Sequence, residues 1–293
     1  MPLILFFGVG GNLINCAVFL QKTLRSSSYS VYLIASTVTH TILLILAMST
    51  NLYSFGHTNP NTYSIAYCKL RNYFISSLFN MSRTYIVLAS VDRYAICSPY
   101  ANIRAFSRRQ IALKLIPIVI GMWIFIPSHN VILSTIQNNQ CIMPGLYKVL
   151  YAGYAVICAA IFLPSFTITF GLLARRNLRL MRRRIVPAGT IEGSRTFINK
   201  VDYQIMKMLF VDVTIYCITI FPFPITTVYG VITMNTIKST DRAAIDNFLS
   251  LLAGSILQYL NVSSAMYSNF ITSVAFREEL KKLTMHCIRV GNR

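Results

Sequence analysis

Seven stretches of this chain are long and apolar enough to cross roughly 30 Å of hydrocarbon at about 1.5 Å per helical residue. They lie at approximately 2–20, 30–53, 65–97, 111–133, 147–174, 203–233 and 245–274. No strong period-2 alternation competes with them, so they read as helices rather than as strands of a barrel. Only 12% of the residues are charged, against 55% hydrophobic, and soluble domains carry about 25% charged residues. The expected fold class is therefore an all-α membrane protein, a seven-transmembrane helix bundle over residues 1–275. Residues 276–293 follow as a short amphipathic helix and tail. Phe276, Leu280, Leu283 and Cys287 recur there at helical spacing with Lys281, Lys282 and Arg289 around them, the pattern of a helix lying on the inner leaflet.

A net charge of +19 would suit a nucleic-acid partner, but its distribution argues against one. Most of the 27 Lys and Arg residues fall on one alternating set of connections: Lys22 and Arg25, then Arg104 to Lys114, then the run from Arg175 to Arg184, then the tail. The opposite set holds only Lys69, Arg71, Lys148, Lys238 and Arg242. By the positive-inside rule the amino terminus lies outside and the carboxyl terminus in the cytosol of a multi-pass plasma-membrane protein. The arginine run reads as a collar facing membrane lipid headgroups, and contact with a cytosolic partner would be additional. The first span begins almost at Met1, with no basic start and small-residue cleavage site before it. Either the recorded start is truncated or the outer tail is unusually short.

The third span ends in Asp92-Arg93-Tyr94. A charge at the centre of a membrane helix costs about 2.5–3.5 kcal/mol, less towards the ends, so retained charges point to a use. Cys68 lies 25 residues before Arg93, and Trp123, Cys141, Pro164, Pro222 and Phe276-Arg277 follow, with Gly11-Asn12 in the first span. This constellation resembles the rhodopsin-like (class A) G protein-coupled receptors over nearly the whole chain, and its overall look is closest to invertebrate orphan receptors of the neuropeptide type. The resemblance implies a receptor, not an enzyme, that binds an extracellular ligand and activates a cytosolic heterotrimeric G protein without cofactor or metal. It assigns the activation switch to Asp92, Arg93 and Tyr94, the sixth-helix kink to Pro222, and a latch on Arg93 to Asp202. It also implies a bridge between Cys68 and Cys141. Both lie on the oxidising outer side, where a disulfide is permitted, and two free thiols are the alternative.

On the family's pattern the outer cavity would be faced by Asn72, Ile75, Ser76 and Phe79 of the third helix. Phe223 and Thr227 of the sixth and Ser255, Gln258 and Tyr259 of the seventh would complete it. That set is apolar and aromatic with uncharged hydrogen-bonders, which favours a peptide over a small cation. Ile75 stands where amine receptors carry an aspartate, and Tyr259 where light receptors need a lysine, which excludes an opsin. The chain departs from the family elsewhere too. His40 replaces an aspartate linked to sodium binding, and reads either as a neutral core residue or as a proton-sensitive switch. Ile220 replaces an aromatic residue, and the Asn-Pro-x-x-Tyr motif falls on Ala265, Met266 and Asn269.

Asn12, His40, Ser82, Arg83, Asp212 and Asn261 form an expected midplane polar cluster. Arg83 lies 10 residues outward from Arg93, and Asp212 lies 10 outward from Asp202 on a helix of opposite direction. Both are thereby displaced about 15 Å to one depth, although ten residues fall about 80° short of whole turns, so facing is left open. Direct pairing and separate partners are the two alternatives. The sequons at Asn80 and Asn261 fall inside helices, where glycan addition is implausible. Cys287 is a candidate lipidation site, with a plain buried thiol as the alternative. Two other readings stand beside a signalling receptor. One is a seven-helix transporter or channel subunit, for which no internal repeat or half-helix pair is found. The other is a receptor-like protein that does not signal.

Overall fold

The structure is a computed structural model that describes residues 1–137, 139–184, 207 and 211–291. The chain forms a bundle of long helices. The first three are α1 (Pro2–Phe19), α2 (Ser28–Tyr53) and α3 (Ile65–Ile96). Next, α4 comprises Arg109–Phe125, a 3₁₀ turn at Ile126–Ser128 and a short helix at His129–Leu133; α5 comprises Gly145–Ala155, a π-helical segment Val156–Phe162 and Leu163–Arg184. Then come α6 (Val211–Ile232), α7 (Thr240–Leu251, a π-helical segment Leu252–Leu257 and Gln258–Thr272) and α8 (Val274–Gly291).

By length and composition α1, α2, α4, α5, α6 and α7 qualify as membrane spans. The exception is α3, which has 32 residues but too many polar ones, and its position explains why. It packs against α2, α4 and α5 and stacks Phe79 on Tyr259 of α7 with ring centroids 5.8 Å apart. Its polar side chains therefore face protein rather than lipid. Large apolar side chains turn the other way: Phe6 is 74% exposed, Phe125 77% and Ile271 72%, a surface that only hydrocarbon satisfies.

Local chemistry accounts for where the helices deviate from the expected spans. In α4 the expected single helix 111–133 breaks at Ile126, because Pro127 offers no backbone N–H to continue the ladder. In α5 the i+5 bonding of Val156–Phe162 directly precedes Pro164, where a proline ring would otherwise clash with the carbonyl one turn back. The same helix runs on to Arg184, past the expected end near 174, since Leu and Arg are good helix formers. At the start of α7 the Ser239 hydroxyl accepts from the Arg242 N–H at 3.4 Å, a cap that begins the helix five residues before 245. A two-stranded hairpin, Thr135–Gln137 with Gln140–Ile142, interrupts the helical pattern between α4 and α5. In α8, Lys282 Nζ donates to Glu279 at 2.6 Å, and that carboxylate raises the lysine above its ordinary value.

Four buried apolar clusters hold the bundle among the described residues, the smallest of them Cys97 with Ala174 and Leu178 of α5. Tyr29, Tyr32, Met81, Tyr85 and Trp123 join α2, α3 and α4; Leu43, Leu44, Met48, Phe79 and Tyr259 join α2, α3 and α7; and Val18 and Phe19 pack on Phe276 to seat α8 against α1. At Gly8, α1 approaches α7 and α2 closely. A Cβ on Gly8 would collide with the Ser263 hydroxyl and lie 2.8 Å from Leu44 Cδ1, whereas Gly10 faces open space. Gly8→Ala is therefore expected to destabilise the bundle by about 1–3 kcal/mol, the usual range for overpacking, and Gly10→Ala to leave it unchanged or firmer. Thermal unfolding of the purified chain in lipid nanodiscs measures both, and equal effects would contradict the close approach of α1 and α7.

Candidate functional site

An outer cavity of about 210 Å³ opens between α3, α5, α6 and α7. Residues 72, 75, 76 and 79 of α3 recur at three- and four-residue spacing, so they present one face of the helix to it. Eight of the nine residues expected there line it, namely all but Thr227. Thr227 lies one turn beyond Phe223 and turns its hydroxyl onto that residue's carbonyl at 2.8 Å. Cys68 and Cys141 are bridged, with Cα atoms 5.7 Å apart, and the bridge ties the hairpin to the top of α3. Asn72 Nδ2 lies 3.2 Å from Cys141 Sγ, and Met143, just past the hairpin, joins the cavity wall.

The lining corrects one expectation. The cavity is not uncharged, because Arg71 and Arg83 both border it and no carboxylate does among the described residues. The same stripe on α3, extended a turn in each direction, leads from Ile75 to Arg71 and from Phe79 to Arg83. The contribution of α5 was also missed. Tyr151, Tyr154 and Cys158 recur at helical spacing and face the cavity, and Tyr154 accepts from Asn80 Nδ2 at 2.9 Å.

Below it lies a smaller cavity of about 50 Å³. His40, Arg83, Asp212 and Asn261 of the expected midplane cluster line it, whereas Asn12 and Ser82 do not. Asn12 Nδ2 donates to the Val262 carbonyl at 3.3 Å, and the Ser82 hydroxyl turns back to the Phe79 carbonyl at 2.9 Å. A chain of amides that spacing did not single out crosses the cavity's inner side. Asn269 Nδ2 donates to Asn15 Oδ1 at 2.9 Å, and Asn15 Nδ2 to Thr37 Oγ1 at 2.9 Å. His40 Nδ1 and Asn269 Oδ1 have no hydrogen-bond partner among the described residues, and a polar space of this size has room for ordered water.

Arg83 and Asp212 both border this cavity, but no ion pair joins them among the described residues. Asp212 instead accepts from the Ser268 hydroxyl at 2.5 Å. The Arg83 guanidinium lies over the rings of Phe79 and Tyr216, 4.9 and 5.6 Å from their centroids. Of the two alternatives, the structure has separate partners rather than direct pairing.

At the end of α3 opposite the disulfide, Asp92 accepts from Ser28 Oγ at 2.5 Å and Ser107 Oγ at 2.7 Å on one oxygen. On the other it accepts from Arg93 Nη2 at 3.0 Å. Arg93 also donates to Ser27 Oγ at 3.0 Å and lies 4.7 Å over the Tyr29 ring. Both charges are buried, 3% and 1% exposed. Tyr94 packs its ring near Phe170 of α5, with centroids 5.6 Å apart. Asp202 lies outside the described residues, as does the side chain of Cys287. Pro222 sits within α6 and supplies no N–H to its ladder.

These features together define a seven-helix membrane receptor, and the comparison with known families agrees. The chain belongs to the rhodopsin family of seven-transmembrane receptors: residues 11–261 match the family model described as 7 transmembrane receptor (rhodopsin family). Similar proteins include the human neuromedin-U receptor 2, 26% identical over 232 residues that cover 74% of this chain and 55% of that protein. The Rattus norvegicus neuromedin-U receptor 2 is 23% identical over 301 residues, covering 97% and 75%, and the Mus musculus protein 25% over 234 residues, covering 75% and 58%. The matches thus span little more than half the length of the human and mouse relatives.

The partners of Asp212 can be apportioned by double-mutant cycles read as thermal stability. Asp212 with Ser268 is expected to show a coupling of about 1.5–3 kcal/mol, the range for a hydrogen bond to a charged group. Asp212 with Arg83 is expected to show less. The reverse order would mean that the guanidinium, not the hydroxyl, holds Asp212.

Proposed function

We propose that this chain binds an extracellular peptide in the outer cavity and in response activates a cytosolic heterotrimeric G protein. On this reading it acts at the plasma membrane, with its amino terminus outside and its carboxyl terminus in the cytosol. The observation that carries it is that one helix, α3, borders the outer cavity with Arg71 to Arg83 and ends in the buried Asp92–Arg93 pair. Ligand occupancy and the cytoplasmic switch therefore bear on a single rigid element. The relatives' name supports a peptide ligand, and the basic connections support the orientation.

In the resting packing, Arg93 is held by Asp92, Ser27 and the face of Tyr29, and Asp202 acts as a second acid on the same guanidinium. A ligand favours a packing in which α6 moves outward about Pro222 and Arg93 is released to the G protein. The shift follows only from the ligand's higher affinity for that packing. Residues 276–293 lie on the inner leaflet as a unit distinct from the bundle, with Cys287 as a lipid attachment point.

G-protein activation in cells expressing the full chain tests the reading, with neuromedin U as the first probe. Asp92→Asn removes a charge-assisted contact worth about 1.5–3 kcal/mol, so basal activation is expected to rise roughly tenfold, while Arg93→Ala is expected to lower coupling. If the chain and both variants reach the surface and none activates any G protein, the protein is a receptor-like chain that does not signal.

A further inference from the structure

Arg83 is a cation that forms no ion pair among the described residues. It is 7% exposed, its Nη2 has no hydrogen-bond partner among the described residues, and it borders both the outer and the inner cavity. The Phe79 and Tyr216 rings attract its charge but accept no hydrogen bond from its fork. Asp212, the one carboxyl on the inner cavity's wall among the described residues, is engaged by Ser268. Twelve residues nearer the outside, about 18 Å along α3, Arg71 borders the same outer cavity with its Nε on Thr50 Oγ1 at 3.4 Å. The walls between the two guanidinium groups are largely aromatic: Phe79, Tyr151, Tyr154, Phe223 and Tyr259.

We infer that the outer cavity takes a ligand whose deepest group is a carboxylate beside an apolar or aromatic body, and that Arg83 binds that carboxylate at the cavity floor. The inference rests on the receptor reading above and specifies its ligand. A buried cation without a counter-charge is costly, and a carboxylate matches the planar donor fork of a guanidinium with paired hydrogen bonds. A neutral amide of the same shape brings no counter-charge. Arg71 at the mouth adds attraction on entry, where the field is screened by salt. The carboxylate can be the terminus of a peptide or an acidic side chain near its end, since both offer the same two oxygens.

The test uses the purified full chain in lipid nanodiscs and reads binding as a rise in unfolding temperature, without any signalling step. The probes are hydrophobic tetrapeptides made in matched forms. One set has a free C-terminal carboxylate, a second the same sequences with a C-terminal amide, and a third amidated sequences carrying Glu or Gln at one position. Carboxylate-bearing members are expected to bind at least about tenfold more tightly than their neutral counterparts. The first and third sets tell a terminal carboxylate from a side-chain one. Arg83→Gln is expected to erase the preference and Arg83→Lys to retain part of it, while Arg71→Gln weakens binding of acids and lowers its salt dependence. The acid–amide comparison on the unaltered chain needs no variant to fold. Equal binding of acids and amides, no shift from any acid, or an acid preference that survives Arg83→Gln would overturn the inference. A chain that couples to a G protein yet shows no acid preference loses this inference alone. One that prefers acids but never couples loses the signalling reading alone.

Discussion

A helix that carries charge through the centre of a membrane bundle has to find its polar partners inside the bundle, and the rest of this structure is arranged around how α3 does so. Hydrocarbon offers no hydrogen bonds at that depth, so every unmet donor or acceptor that α3 turned towards lipid would cost several kcal/mol. Part of the solution is local: Ser77, Asn80, Thr84 and Ser90 each bond the carbonyl one turn back. The remainder reaches other helices. Trp123 Nε1 on α4 donates to Thr84 Oγ1 at 2.8 Å, Tyr154 on α5 accepts from Asn80, and Ser36 on α2 donates to the Ser82 carbonyl at 3.4 Å. Arg93 and Asp92 satisfy one another and reach Ser27, Ser28 and Ser107. Each neighbour of α3 is thus fixed in depth by a directional bond as well as by apolar packing, which is nondirectional.

This also explains which parts of the architecture were legible in the residues. The six apolar spans are readable because lipid tolerates only apolar faces, so composition and location coincide. The third is readable through its charges rather than its hydropathy, since the charges mark the helix that lipid does not touch. Depth was recoverable by counting, because rise per residue is constant. Rotation was not, because small departures from 3.6 residues per turn accumulate and a side chain two or three ångströms away can capture the group first. Ser268 takes Asp212 in this way, although Arg83 and Asp212 border the same cavity.

The residues of the outer cavity divide along the same line. The seven expected on α3 and α7 recur at helical spacing on one stripe of each helix, and all seven border the cavity. Thr227 was lost because a threonine on a helix can turn its hydroxyl onto the carbonyl one turn back. The face of α5 was hidden for a different reason. The π-helical segment Val156–Phe162 adds a residue to the turn and so rotates everything before it relative to Pro164, which makes any register counted from that proline misleading. A similar segment, Leu252–Leu257, turns Gly254 and Ser255 of α7 into the cavity. Asn15 and Asn269 were missed because their amides look like ordinary core polar residues until both are seen on one chain of hydrogen bonds.

The two cavities meet at one side chain, and that gives the proposed ligand contact a physical route to α6, the helix that the proposed function moves. Arg83 of α3 lies over Tyr216 of α6, whose hydroxyl donates to the Ala159 carbonyl in the π-helical segment of α5 at 3.0 Å. Three helices are thereby linked at one depth through a single guanidinium. Asp212 and Tyr216 are four residues apart on α6, hence on one face and about one turn apart in height. A carboxylate arriving from the outer cavity and the carboxyl of Asp212 below therefore lie on opposite sides of the same cation along the same helix. A ligand shifts a conformational equilibrium only to the extent that it binds one packing better than the other. An anion above Arg83 meets this condition, because holding the guanidinium upward changes its contact with Tyr216 and with it the packing of α6 on α3.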